Sequence, residues 1–153
     1  MAPKIQLGIQ EAIEKFDRNS VADRRKKAEQ ERLEIVKRFP IANWPKMAVE
    51  DYALGQKDSE NTFCRWMEFR SMTIAGIRGG SAMKHMLFKR KAKEGWYFEK
   101  TYNTLQEAWD ALRAGFVEAL EYAQAGQWEQ IDGVTAIYNG PALRMKTIYV
   151  YFP

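Results

Sequence analysis

The sequence predicts an α+β domain with a mainly antiparallel sheet, on three observations. Leu105, Trp109, Leu112, Phe116 and Leu120 recur at helical spacing behind a capping box at Thr104 and Glu107. Aromatic and β-branched stretches flank that helix: residues 83–90, 96–102 and 143–152 read as strands. A long polar helix, free of Gly and Pro from Val21 to Phe39, precedes them all.

In chain order, residues 1–39 form an N-terminal helical segment. Ser20 and Asp23 resemble a capping box, and Arg25 with Glu29 and Lys27 with Glu31 make i,i+4 pairs on a wet face. Leu33, Val36 and Phe39 give only a thin apolar stripe, which suits a helix lying across the surface. Pro40 ends it, and residues 40–153 make the α+β body in one compact unit with that segment. Trp44-Pro45 reads as an extended or turn dipeptide, and Val49 to Leu54 as a short helix stopped by Gly55. Residues 56–61 are a polar loop.

Phe63 to Arg70 fits two periods. Phe63, Met67 and Phe69 alternate with Cys64, Trp66 and Glu68, whereas Phe63, Trp66 and Met67 share a helical face; the strand reading is adopted. The glycines of Gly76-Ile77-Arg78-Gly79-Gly80 mark a turn. Residues 83–90 and 96–102 then form a hairpin joined by Ala92-Lys93-Glu94-Gly95. Gly126 ends the long helix, and Gly140-Pro141 precedes the last strand. A helix laid on such a sheet is an α+β arrangement. The chain stops at Phe152-Pro153, straight after that strand, so a domain cut from a longer protein is expected.

With 153 residues, 46% hydrophobic and 29% charged, the chain lies in the globular range and can bury a core without staples. One Cys (Cys64) and one His (His85) cannot make a four-ligand zinc site or a disulfide framework. No apolar run approaches the roughly 20 residues of a membrane helix. A cytoplasmic protein with no cofactor and no membrane partner is expected. Cys64, in an apolar stretch, reads as a small core residue.

The net charge of +4 is unevenly spread: residues 62–101 carry +6 and residues 102–153 carry −3. Such asymmetry points to an anionic partner, nucleic acid first. The leading site is the basic hairpin, with Lys89, Arg90, Lys91 and Lys93 beside Trp96 and Tyr97. Cations neutralise phosphates and release counterions, and aromatic rings stack on exposed bases. A solvated hairpin tip whose lysines block edge pairing is the plain alternative. Arg78-Gly79-Gly80-Ser81 is a second candidate: successive amides in a Gly-rich turn can cradle a phosphate, with Arg78 adding a bidentate contact and Lys84 in support. It lacks the Gly-Lys-Ser/Thr ending of a Walker A loop. Trp66 and Trp96 are candidate walls of a pocket for a flipped base, while Trp109 belongs to the helix stripe. Catalytic patterns are thin. His85 has no evident acidic partner, and Glu68 with Arg70 or Glu99 with Lys100 makes a poor metal-nuclease signature.

Tyr52-Ala53-Leu54-Gly55-Gln56, the run from Glu60 to Phe69, Gly79-Gly80-Ser81-Ala82, Lys89-Arg90-Lys91, Glu94-Gly95-Trp96-Tyr97, Gly140-Pro141-Ala142-Leu143 and Tyr149-Val150-Tyr151-Phe152-Pro153 together resemble a block near the amino terminus of McrB-type restriction ATPases. The likeness spans about residues 37–153. It implies a DNA-binding targeting module, often directed at a modified cytosine, with an AAA+ motor later in the same parent chain and a separate nuclease subunit. No motor motif is present, so the domain itself is expected not to be an enzyme. The resemblance carries over no base-pocket residue. The expected partner is double-stranded DNA. The rival reading is a protein-interaction adaptor that docks through the helix from Val21 to Arg38.

Overall fold

The computed structural model describes residues 2–56, 59–90 and 95–153, with residues 2–7 and 59 as backbone alone. Helices dominate it. They are α1 (Ala2–Lys15), α2 (Ala22–Arg38), α3 (Val49–Tyr52), α4 (Phe63–Arg65), α5 (Leu105–Gln124), α6 (Trp128–Ile131) and α7 (Pro141–Tyr151). Among the described residues the only sheet is a two-residue antiparallel ribbon, β1 (Phe88–Lys89) against β2 (Trp96–Tyr97), with Phe88 opposite Tyr97. The chain is a small, mostly helical domain, and the expectation of a mainly antiparallel sheet is corrected.

Two of the corrections have one cause. Residues 143–152 form α7, and its buried positions are Leu143, Arg144, Lys146, Thr147, Ile148 and Val150, while Met145 and Tyr149 face solvent. Positions 143, 146, 147 and 150 are a helical stripe. Lys146 hides it, because a lysine in the stripe reads as a polar position. Residues 63–70 likewise form α4, which runs into a π-helical turn at Trp66–Arg70. Phe63, Cys64, Met67, Glu68 and Ser71 are all buried, again at helical spacing, with the charged Glu68 breaking the pattern.

The expected hairpin shrinks to its innermost pairs. Ala82–His85 is a 3-10 turn, and Met86 reverses the chain at φ 63°. Gly140 makes room for that reversal: a Cβ there would lie 2.6 Å from the Lys84 carbonyl oxygen. The short helix ends at Tyr52, before the expected stop at Gly55; Gly55, at φ +86°, instead lets β1 pass closely, since a Cβ would sit 1.9 Å from the Lys89 carbonyl oxygen.

Other expectations hold. The α5 capping box is formed, with Thr104 Oγ1 accepting from the Glu107 amide at 3.1 Å, and Trp109, Leu112, Phe116 and Leu120 are buried. Cys64 is wholly buried, and burial pushes its thiol up, away from reactivity. The core is aromatic. Trp44 meets Phe63 edge-on at 4.9 Å, and Tyr52 lies between Phe63 and Trp109. Each such contact adds about 0.5–1.5 kcal/mol beyond area burial. Helix α2 is tied to this body: Ile35 is buried, Arg32 donates to the Val150 carbonyl at 2.9 Å, and Glu31 accepts from the Thr73 amide and hydroxyl. No helix among the described residues is long and apolar enough to cross a membrane.

Candidate nucleic-acid interface

The cations of the middle segment divide into two groups. One group is internal. Glu68, brought inward by the π-turn, accepts from Lys84 Nζ at 2.7 Å on one oxygen and meets His85 Nε2 at 2.7 Å on the other. Lys84 also donates to the Gly79 carbonyl at 2.9 Å, which fastens the Arg78–Ser81 turn over the π-turn. Tyr52 donates to the His85 carbonyl at 2.8 Å. One layer deeper, Lys146 donates all three ammonium hydrogens to carbonyls of Met67, Ser71 and Ala75, at 2.6, 2.7 and 2.7 Å. These close the end of the π-turn, whose carbonyls a regular helix would have used.

Burial sets the electrostatics of this knot. It pushes the Lys146 ammonium down to about 8, against the pull of Glu31 and Glu68. It also lowers His85, against the opposing effect of Glu68. At Glu68 burial pushes upward, but the bonds from Lys84 and His85 outweigh it and hold the carboxyl below its ordinary value. His85 therefore has the acidic partner that the sequence did not reveal, and it lies in a 3-10 turn, not a strand. Its ring is wholly buried. The pair acts within the fold. Among the described residues no three His, Cys, Asp or Glu side chains converge to hold a metal ion.

The second group faces solvent. Arg78, Lys89 and Arg90 are exposed, and among the described residues none has an acidic partner. Arg78 follows the fold of its turn, where Gly79 and Gly80 sit at φ +96° and +66°, values that suit glycine. Its guanidinium lies 5.7 Å from the Phe69 ring, and Arg65 lies 4.5 Å from the same ring. Arg65 and Arg70 share a single carboxylate, Glu60, so this cluster keeps a net positive charge. At the ribbon, Arg90 stands over Tyr97 at 5.6 Å, and Tyr97 stacks on Phe88 at 4.8 Å. The Leu54 carbonyl accepts from the Lys89 amide, which ties the ribbon to the segment after α3.

The predicted site residues are thus only partly gathered. Arg78, Lys89 and Arg90 are each exposed, Arg78 beside Phe69 and Arg90 beside Tyr97, and Lys91 and Lys93 lie outside the described residues. Lys84, with its side chain 14% exposed, is bound within the knot. Trp66 is half-buried with Arg38 4.2 Å over its ring, and Trp96 is half-buried against the core. An open groove of about 620 Å³ lies beside Arg38, lined by Asn43, Lys46, Asp51 and Asn61 among others, with charges of both signs. None of the predicted contact residues lines it. The approach of Arg65 and Arg78 to the Phe69 ring is not legible in the sequence. Its signal, an aromatic residue four positions after an arginine, appears only once the segment is read as helical.

No family model matches this chain, and no characterised protein or solved structure matches it either.

Proposed function

We propose that the chain is a double-stranded-DNA-binding targeting module, of the kind its resemblance to McrB-type restriction ATPases implies, with its motor elsewhere in the parent chain and its nuclease on a separate subunit. The observation that carries the reading is that Arg78, Lys89 and Arg90 are exposed cations with no acidic partner among the described residues, Arg78 lying beside Phe69 and its neighbour Arg65. Unpaired guanidinium and ammonium groups at a surface attract a phosphate backbone and release its counterions. The glycines after Arg78 leave the backbone bare enough for a phosphate to approach. Lys91 and Lys93, adjoining Arg90 in sequence, extend the same charge. In this reading the buried knot holds the surface in place and performs no chemistry of its own.

Fluorescence anisotropy with labelled duplexes over a salt series tests the reading. Binding should be tight at low salt and weaken linearly in log–log form, with a slope of about −0.9 per phosphate contact. A folded protein that binds no duplex at low salt would reject it. Parallel duplexes with and without modified cytosine test base reading by Trp66, Trp96 and Tyr97, which requires a preference between the two.

A further inference from the structure

Arg65 and Arg70 stand five positions apart, which on an α-helix of about 3.6 residues per turn would point them to different sides. The π-turn at Trp66–Arg70 is wider, and it brings both guanidinium groups to one carboxylate. Arg65 Nη2 lies 2.9 Å from Glu60 Oε1, and Arg70 Nη2 lies 3.0 Å from Glu60 Oε2. Each arginine thus takes its own oxygen. Arg78 joins the same patch through Phe69, whose ring is 4.5 Å from the Arg65 guanidinium and 5.7 Å from that of Arg78.

Three guanidinium groups therefore share this patch with one carboxylate. Glu68, on the same turn, is buried and bound to Lys84 and His85, so it is not their partner. Among the described residues no carboxylate besides Glu60 pairs with Arg65, Arg70 or Arg78. Lys57 and Asp58, opposite in charge, lie outside the described residues. Glu60 sits on the short 3-10 turn Ser59–Asn61 with its side chain 60% exposed. Exposed ion pairs are weak and exchange readily with other anions. A phosphate offers the same two guanidinium forks more oxygens and more charge, and it makes the stronger bonds.

We propose that Arg65 and Arg70, flanked by Arg78, form a phosphate-binding site, and that Glu60 is its built-in competitor, displaced when a phosphate group enters. The site does not rest on the DNA reading. A duplex backbone and a free oligophosphate carry the same group, and the test has an arm for each source.

Calorimetric titration with pyrophosphate and fluorescence anisotropy with a labelled duplex, both on the full chain and on variants confirmed folded, test the site. Glu60→Gln should tighten binding of at least one probe about tenfold, because two exposed ion pairs no longer compete. Arg70→Gln added to Glu60→Gln should remove that gain, and Arg70 is exposed, so the fold is kept. Glu129→Gln removes an exposed carboxylate on α6 that has no ion pair among the described residues, and as the control for net charge it should shift either affinity less than about twofold. A gain for the duplex assigns the site to a nucleic-acid backbone, and a gain for pyrophosphate alone assigns it to a small phosphate ligand. The proposal is overturned if neither probe gains, if Glu129→Gln matches the gain, or if the gain survives Arg70→Gln. Tight duplex binding by the native chain that ignores Glu60→Gln, with pyrophosphate equally indifferent, overturns the site and leaves the DNA reading standing.

Discussion

Lys84 and Lys89 belong to the same basic stretch, yet they do different work. Lys84 is bound to Glu68 and the Gly79 carbonyl, with its side chain 14% exposed. Lys89 stands in solvent at the edge of the ribbon, with no acidic partner among the described residues. The charge of a segment is therefore not the charge it offers to a partner. In this fold the internal cations Lys84 and Lys146 shape the π-turn, and the external ones, Arg78, Lys89 and Arg90, face solvent.

That division can be broken from either side. The largest effect should come from Lys146→Met. It removes the donor that the Met67, Ser71 and Ala75 carbonyls share at the end of the π-turn and should cost about 3 kcal/mol in chemical denaturation. A loss under about 0.5 kcal/mol, the range of ordinary surface changes, would show that the knot does not hold the turn.

Glu68→Gln should cost about 2 kcal/mol, because Lys84 and His85 lose the carboxylate that they share. It should also alter the acid limb of stability. His85 is held below its ordinary 6.5, so the unfolded chain takes up a proton there first, and stability falls as pH drops below about 6.5. Glu68 is held below its ordinary 4.5, so the folded chain resists protonation, and a second loss follows as pH falls through that range. Melting temperatures across pH should show both losses in the native chain and the second one reduced in the variant. Identical pH profiles would contradict the shared role of the carboxylate.

The smallest stability effect should come from Arg78→Ala, Lys89→Ala and Arg90→Ala together. Each position is exposed, so the change per site should stay within about 0.5 kcal/mol, read by the same denaturation. Under the proposed function their effect belongs in binding and not in folding.

The helices that the sequence disclosed are those whose buried face is apolar. The Thr104–Glu107 box and the Trp109–Phe116 stripe of α5 could be read directly, as could the long α2. Segments 63–70 and 143–152 were misread because Glu68 and Lys146 occupy core positions. A charge in the core erases helical periodicity, and the aromatic and β-branched residues around it then look like strands. The partners that make those charges tolerable come from far along the chain: Lys146 meets Met67, Ser71 and Ala75. The same gap explains the candidate site. Lys89, Arg90 and Arg78 were legible as a basic cluster, whereas the burial of Lys84 depends on a carboxylate that only the π-turn brings inward. For Trp66, the cover provided by Arg38 depends on where α2 crosses the body.

The central claim is that the external cations bind DNA and the internal ones do not. The most direct measurement is the salt slope of duplex binding for the native chain and for the triple variant Arg78→Ala, Lys89→Ala, Arg90→Ala, each confirmed folded. The account predicts that the triple variant binds more weakly and that its slope is flatter by about 0.9 for every phosphate contact removed. An unchanged affinity and slope in the folded triple variant would contradict it.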